Sequence, residues 1–213
     1  TSFKILYDDK YLYIGYRCHD LSPDSIVKRM GRRDVFPGDW IEINIDSYHD
    51  QRTAFSFTLS VSGVRSDEAI SENGNRWDPS WNPIWFAKTH VDDKGWTAEV
   101  KIPLSQLRYN NEQDKVWGFQ ITRRLFRKEE RSTWQRIPQN LGIWVSGFGE
   151  LHGLKDLPMH RQVEIAPYVV AQAEKFKKED GNPFAKGFDG KLSGGVDGKV
   201  AVTNDLILDF TVN

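Results

Sequence analysis

A single cysteine, Cys18, stands among 213 residues, so no internal disulfide can form. That leaves the compartment open, because many exported bacterial proteins also lack disulfides. Surplus charge is missing too: 29 Lys+Arg face 30 Asp+Glu, a formal net charge of −1. A dedicated nucleic-acid binder needs clustered positive charge against phosphates, and that class is set aside. No apolar run approaches the roughly 18 residues of a membrane-spanning helix. There is no Gly-x-Ser-x-Gly elbow and no phosphate-cradling glycine loop, so nucleophilic and nucleotide chemistry have no carrier. His19, His49, His90, His152 and His160 share no metal-ligand spacing. The chain opens at Thr1 without an initiator Met and runs straight into a strand-like segment. It ends at Asn213 inside another, so we expect a piece of a longer protein.

What is abundant is aromatic. Eight Trp, seven Tyr and twelve Phe make up 13% of a chain that is only 38% hydrophobic. Such a chain favours β structure with aromatic contact surfaces. The periodicity is two rather than 3.6. Leu12, Ile14, Tyr16 and Cys18 share one face, and Asp8-Asp9-Lys10 joins Phe3–Tyr7 to that strand as a hairpin. Ile41, Ile43 and Ile45 alternate with Trp40, Glu42, Asn44 and Asp46. Phe55, Phe57, Leu59 and Val61 alternate with Ser56, Thr58 and Ser60. Trp96–Ile102 and Trp117–Arg124 alternate likewise. Helix signals are short: Pro23–Met30 predicts two turns capped by Ser22, and Pro103–Leu107 predicts one. Many antiparallel strands with few helices predict an all-β antiparallel sandwich, jelly-roll-like, over residues 1–158.

The pattern changes in residues 159–213. The polar stretch Lys175–Gly190 reads as a loop between two strands, a β-hairpin extension. Its second strand, Val196–Val212, sets Val200, Val202, Leu206, Leu208, Phe210 and Val212 on one face. That row fits an outer-membrane barrel strand and equally a soluble hairpin packed on the sandwich. It is too apolar to stand exposed, so the tail is expected to add strands to the module or to self-associate with another chain.

Four segments carry a resemblance: Phe3–Tyr16 (FKILYDDKYLYIGY), Gly38–Asp50 (GDWIEINIDSYHD), Gly95–Leu107 (GWTAEVKIPLSQL) and Trp117–Arg124 (WGFQITRR). In this order they resemble the family 9 carbohydrate-binding module, in the divergent form near the N-terminus of large bacterial surface proteins. The resemblance covers about residues 1–155. Gly194–Leu206 (GGVDGKVAVTNDL) resembles the start of the following, barrel-like region of those proteins. The resemblance implies sugar binding as part of carbohydrate catabolism, and export to the cell surface, outer membrane or periplasm, with the outer membrane reached through the downstream region.

If the aliphatic rows point inward, one polar carpet faces outward. It holds Glu42, Asn44, Ser56, Thr58, Thr97, Glu99, Lys101, Gln120, Thr122 and Arg124, with Trp40 and Tyr13 as rings. Carboxylates, amides and guanidinium groups match sugar hydroxyls, and aromatic rings match the apolar face of a pyranose. The same residues are also what any half-exposed sheet carries, with Glu99 and Arg124 as a cross-strand pair. Trp77, Trp81 and Trp85, spaced by four around Pro79 and Pro83, predict an irregular loop that stacks sugar or staples itself to the sandwich. Trp134 to Trp144, with Arg136, Gln139 and Asn140, form a second aromatic loop. The acidic pairs Asp8/Asp9, Asp46/Asp50 and Asp92/Asp93 raise structural calcium, with Asp46 and Asp50 as the candidate ligands, though none has a hand-like spacing. Glu42 and Glu99 on one face would make a glycosidase pair. Three functions therefore stand side by side: a non-catalytic carbohydrate-binding module, a glycoside hydrolase, and a scaffold with no sugar ligand.

Overall fold

The computed structural model describes residues 1–110, 114–157, 163–178, 181–182, 187–202 and 207–213. His160 and Leu206 lie outside them, as does the side chain of Gln139. The chain divides into two compact units, Thr1–His160 and Arg161–Asn213.

The first unit contains eleven strands: β1 (Ser2–Tyr7), β2 (Tyr11–His19), β3 (Trp40–Asp46), β4 (Ala54–Ser60), β5 (Arg65–Ser71), β6 (Arg76–Asp78), β7 (Phe86–Asp92), β8 (Gly95–Pro103), β9 (Asp114–Leu125), β10 (Glu130–Thr133) and β11 (Gly149–Lys155). Four of them form one sheet in the order β1-β2-β8-β7. The other seven form a second sheet, β10-β9-β3-β4-β5-β6, with β11 also on β9. Every pairing is antiparallel. The inward rows meet as one core: Leu12, Ile14 and Tyr16 from β2 and Val100 and Ile102 from β8 against Ile41, Ile43, Ile45, Phe57 and Phe119. Side chains of this size, fully buried, each contribute about 1.5–3 kcal/mol of transfer free energy. The fold is the predicted antiparallel β-sandwich, because period-two alternation leaves no other way to bury both rows.

Cys18 lies in that core, and burial pushes its thiol up to about 11, so it behaves as a small hydrophobe. Two bidentate pairs brace the sandwich: Arg17 of β2 with Asp92 of β7 (2.6 and 2.8 Å), and Arg127, in the turn after β9, with Asp20, just past β2 (2.6 and 2.7 Å). The helix expected over Pro23–Met30 is absent. Only Pro23–Ser25 makes a 3-10 turn, Ser22 offers no side-chain cap, and Ile26 turns extended with ψ 126°. Ile26 joins the core and the Val27 carbonyl accepts from the Asp39 N–H, so tertiary contacts override the capping signal. The turn near Pro103–Leu107 is present as a 3-10 turn, Leu104–Gln106.

The second unit is a three-stranded antiparallel sheet, β12 (Val163–Lys175), β13 (Phe188–Ala201) and β14 (Ile207–Val212), in that order. It has one strand more than the predicted hairpin. Val196–Val212 is not one strand: it folds back, so that Val200 pairs with Leu208 and Val196 with Val212. Val202 lies exposed past the end of β13.

Candidate functional site

Register across the larger sheet defines its outward face row by row. The first row runs Arg131, Arg124, Trp40, Ser60 from β10 to β4. The second runs Thr133, Thr122, Glu42, Thr58, Ser66. The third runs Gln120, Asn44, Ser56, Glu68. This face is not an open carpet. Glu42 is 7% exposed, Ser56 1%, and Asn44, Gln120 and Thr122 0%. The reason is the segment after β10, which crosses over the sheet: the Gln120 amide donates to the Gln135 carbonyl (2.8 Å) and accepts from the Gln135 N–H (2.9 Å).

Three tryptophans line the recess so formed. Trp40 and Trp144 flank the Arg131 guanidinium, whose carbon lies 5.6 and 5.4 Å from their ring centres. Trp77 lies 6.4 Å from Trp144, and the two pack with Phe148 on Ala54, Ile70 and Val145. The loop that carries Trp144 is pinned by Asn73. Its Oδ1 accepts from the N–H groups of Trp144 (3.3 Å) and Ser146 (2.8 Å), and its amide donates to Ser146 Oγ (2.9 Å). Asn73 adopts φ 56° to do so, a conformation Asn tolerates.

Arg131 Nη2 reaches Glu42 Oε1 (3.3 Å), and the Asn44 amide donates to the same oxygen (2.9 Å). Burial raises the Glu68 carboxyl above its ordinary value, and Glu42, Asp34 and Asp67 push it in the same direction. Of the ten buried side-chain atoms without a partner among the described residues, four lie here: Asn44 Oδ1, Ser56 Oγ, Thr122 Oγ1 and Trp144 Nε1. Burying a polar atom unpaired costs about 1–3 kcal/mol, so these four call for a complement, either water or a bound group.

The residues expected at a single site separate. Trp40, Glu42, Asn44, Gln120, Arg124 and Trp77 belong to this face of the larger sheet. Glu99 does not: it pairs with Gly15 and Lys88 on the smaller sheet, together with Thr97, Lys101 and Tyr13. Inward rows of the two sheets share a core, so their outward faces look in opposite directions. Glu42 and Glu99 therefore cannot flank one glycosidic bond, and Glu99 does not pair with Arg124, whose neighbours are Trp40 and Arg131. Trp85 is 1% exposed in the core, donating to Asp67 Oδ2 (2.9 Å). Trp81 stacks on Phe55 at 4.6 Å and against Phe57. Both staple the loop, as the proline-bounded stretch leads the chain from the outer face at β6 to the core. Trp134 packs edge-on against Phe3 and Phe119.

Asp46 and Asp50 spend their oxygens on donors of their own turn, backbone N–H groups and the Thr53 hydroxyl. Asp46 accepts from the Asp50 and Gln51 N–H groups, and Asp50 from those of Arg52 and Thr53. They close a turn, and no cluster of three acidic, His or Cys side chains suited to a metal occurs among the described residues.

Sequence reasoning missed Glu68 and Arg131. The β5 segment Arg65–Ser71 has no apolar alternation, and β10 is only four residues long. The usable signal was the Ser62-Gly63 turn, which folds β5 back on β4 and sets Glu68 opposite Ser56.

A cleft of about 730 Å³ lies over the smaller sheet, lined by Leu6, Tyr13, Gly15, Phe86, Glu99 and Lys101 among others. No buried polar side-chain atom lacks a partner along its lining. We therefore place the candidate site on the larger sheet.

A search of curated proteins finds no match. Among solved structures, the chain is similar to a Bacteroides uniformis protein described as a candidate carbohydrate-binding protein. The identity is 13% and the TM-score 0.56, over 70% of this chain and 76% of that one. At that identity the likeness concerns the fold. A family model described as "Carbohydrate family 9 binding domain-like" matches residues 1–137, through β1 to β10 and so through every strand that floors the recess. The chain belongs to that family.

Proposed function

We propose that the first unit binds carbohydrate without cleaving it, in the recess of the larger sheet. The observation that carries this is the set of unpartnered buried polar atoms on Asn44, Ser56, Thr122 and Trp144, beside half-buried Trp40 and Trp77. A pyranose offers both complements: hydroxyls for the orphaned atoms and an apolar face for an indole. A glycan array with the whole chain tests it. Trp144→Ala should reduce binding by about tenfold or more, the loss of one stacked ring plus a hydrogen bond. Glu99→Gln, on the opposite face, should leave binding unchanged. No bound glycan at all, or equal loss from both variants, would overturn the assignment. Bound oligosaccharides incubated with the protein should yield no shorter products.

The second unit supports a place for this module in an exported bacterial protein anchored in the outer membrane and engaged in polysaccharide catabolism. What favours this is its one apolar face: Val163, Ile165 and Val169 on β12, Val196 and Leu192 on β13, and Leu208, Phe210 and Val212 on β14, all exposed. Glu164, Lys191, Asp197, Lys199 and Asp209 occupy the opposite face. Strands of 13 and 14 residues exceed the roughly 9–11 that cross a bilayer, and apolar-out, polar-in alternation is the pattern of a barrel wall. The outer edges of β12 and β14 would then pair with further barrel strands or with a second copy. Flotation with lipid vesicles tests it: the whole chain should float, and a chain ending before Arg161 should not.

A further inference from the structure

The recess is not electrostatically uniform. At its β10 end two cations, Arg124 and Arg131, stand in one row with Trp40. Arg131 already fills the space between Trp40 and Trp144 and neutralises Glu42. At the diagonally opposite corner stands Glu68, half-buried and, among the described residues, without a hydrogen-bond or ion-pair partner. The charged groups around it are all acidic. Glu42 acts on it from β3, one row away across β4, Asp67 adjoins it on β5, and Asp34 acts on it from the β2–β3 connection. Asp67 is already satisfied by Arg33 (2.5 and 2.7 Å) and by the Trp85 indole. Beside Glu68 in the same row lies Ser56, 99% buried with its Oγ unpartnered, and beyond it Asn44 with Oδ1 unpartnered. A carboxylate, a hydroxyl that can accept or donate, and an amide oxygen are therefore presented in line along one row. A half-buried carboxylate among like charges is best complemented by a cation that also donates hydrogen bonds. An ammonium brings three such donors in one compact group, and an indole-lined site accommodates it.

We infer that the Glu68 corner receives the ammonium of an amino sugar, so the module prefers glycans with unacetylated 2-amino-2-deoxyhexose units. The ammonium donates to Glu68 and Ser56, the neighbouring ring hydroxyl to Asn44 Oδ1, and the sugar face meets Trp144. A uronic acid is disfavoured by the same corner, since its carboxylate would add a further negative charge beside Glu68. This inference rests on the carbohydrate-binding reading of the recess and names its ligand class.

The test is calorimetric titration of the whole chain at neutral pH with four trimers: fully deacetylated chitotriose, N-acetylated chitotriose, cellotriose and trigalacturonate. The deacetylated trimer should bind about tenfold tighter than cellotriose, the difference between a charged and a neutral hydrogen bond, and trigalacturonate should bind weakest. Glu68→Gln should bring the deacetylated trimer down to the level at which the same variant binds cellotriose, because the amide keeps the shape and removes the charge. Glu99→Gln should alter neither, which separates the corner from general attraction between a cationic oligomer and an acidic surface. Cellotriose or the N-acetylated trimer binding as tightly as the deacetylated one, or trigalacturonate binding best, overturns the amine assignment while carbohydrate binding stands. The same holds if Glu68→Gln leaves the preference intact. Absence of binding to all four trimers and on the glycan array overturns both readings together.

Discussion

Asp92 gives both carboxylate oxygens to the Arg17 fork, and that pairing holds its carboxyl down at about 2. A carboxyl depressed by folding stabilises the native state above its unfolded value of ~3.9, and the contribution fades as pH falls through the folded value. Unfolding followed as a function of pH should therefore show a shallower acid arm between about 4 and about 2 for Asp92→Asn. Asp39, Asp46 and Glu68 have the opposite sign: burial raises each, so each favours the folded state less as pH rises past the ordinary carboxylate range. Asp67 poses a different problem, since it is buried and serves both Trp85 and the half-exposed Arg33. Asp67→Ala should cost about 2–4 kcal/mol in denaturant unfolding, chiefly by leaving the buried indole N–H unpaired. None of this was legible beforehand. Trp85 and Trp77 look alike in sequence, yet one seals the core and the other borders the recess, because the choice depends on where the intervening prolines take the chain.

Elements with strict alternation announced themselves. In β3 the three isoleucines are at most 1% exposed, and Trp40, Glu42 and Asn44 occupy the outward side, as the period of two requires. What alternation could not convey was which sheet each strand joins. Five strands with the same pattern were assigned one polar face, and two of them, β2 and β8, lie on the other sheet, paired with each other. Nor could it show that the outward side would be roofed, since the roof is an irregular segment with no period at all. The turn between β7 and β8 was readable from Asp92-Asp93-Lys94-Gly95, and its glycine is demanding. Gly95 sits at φ 129°, and a Cβ there would overlap the Cys18 carbonyl oxygen. Gly95→Ala should lower stability by about 2–4 kcal/mol, read as a drop in the denaturant midpoint, through strain at both the turn and the neighbouring strand.

For the whole molecule, the sandwich has its own core, whereas the described residues of the second unit form no buried apolar cluster. A chain ending at residue 158 should keep a single cooperative melting transition in calorimetry, with its sugar affinity unchanged. Loss of cooperativity would show that the tail completes the core. Resemblance and alternation together made the architecture readable. The recess was not, because it depends on cross-strand neighbours that sequence order scatters from Trp40 to Trp144. The eight tryptophans are divided by this architecture in a way that optical spectroscopy can use. Trp85, Trp96 and Trp117 are fully buried and report only on whether the core is formed. Trp40, Trp77 and Trp144 border the recess with partial solvent contact and are open to a dissolved quencher such as iodide. An occupant would shield the second group without touching the first. Above the constant background of Trp134, which is 47% exposed and packs on Phe3 and Phe119, the intrinsic emission of the unlabelled protein thus carries two signals: a quencher-resistant component that tracks folding and a part of the quencher-sensitive one that changes with occupancy.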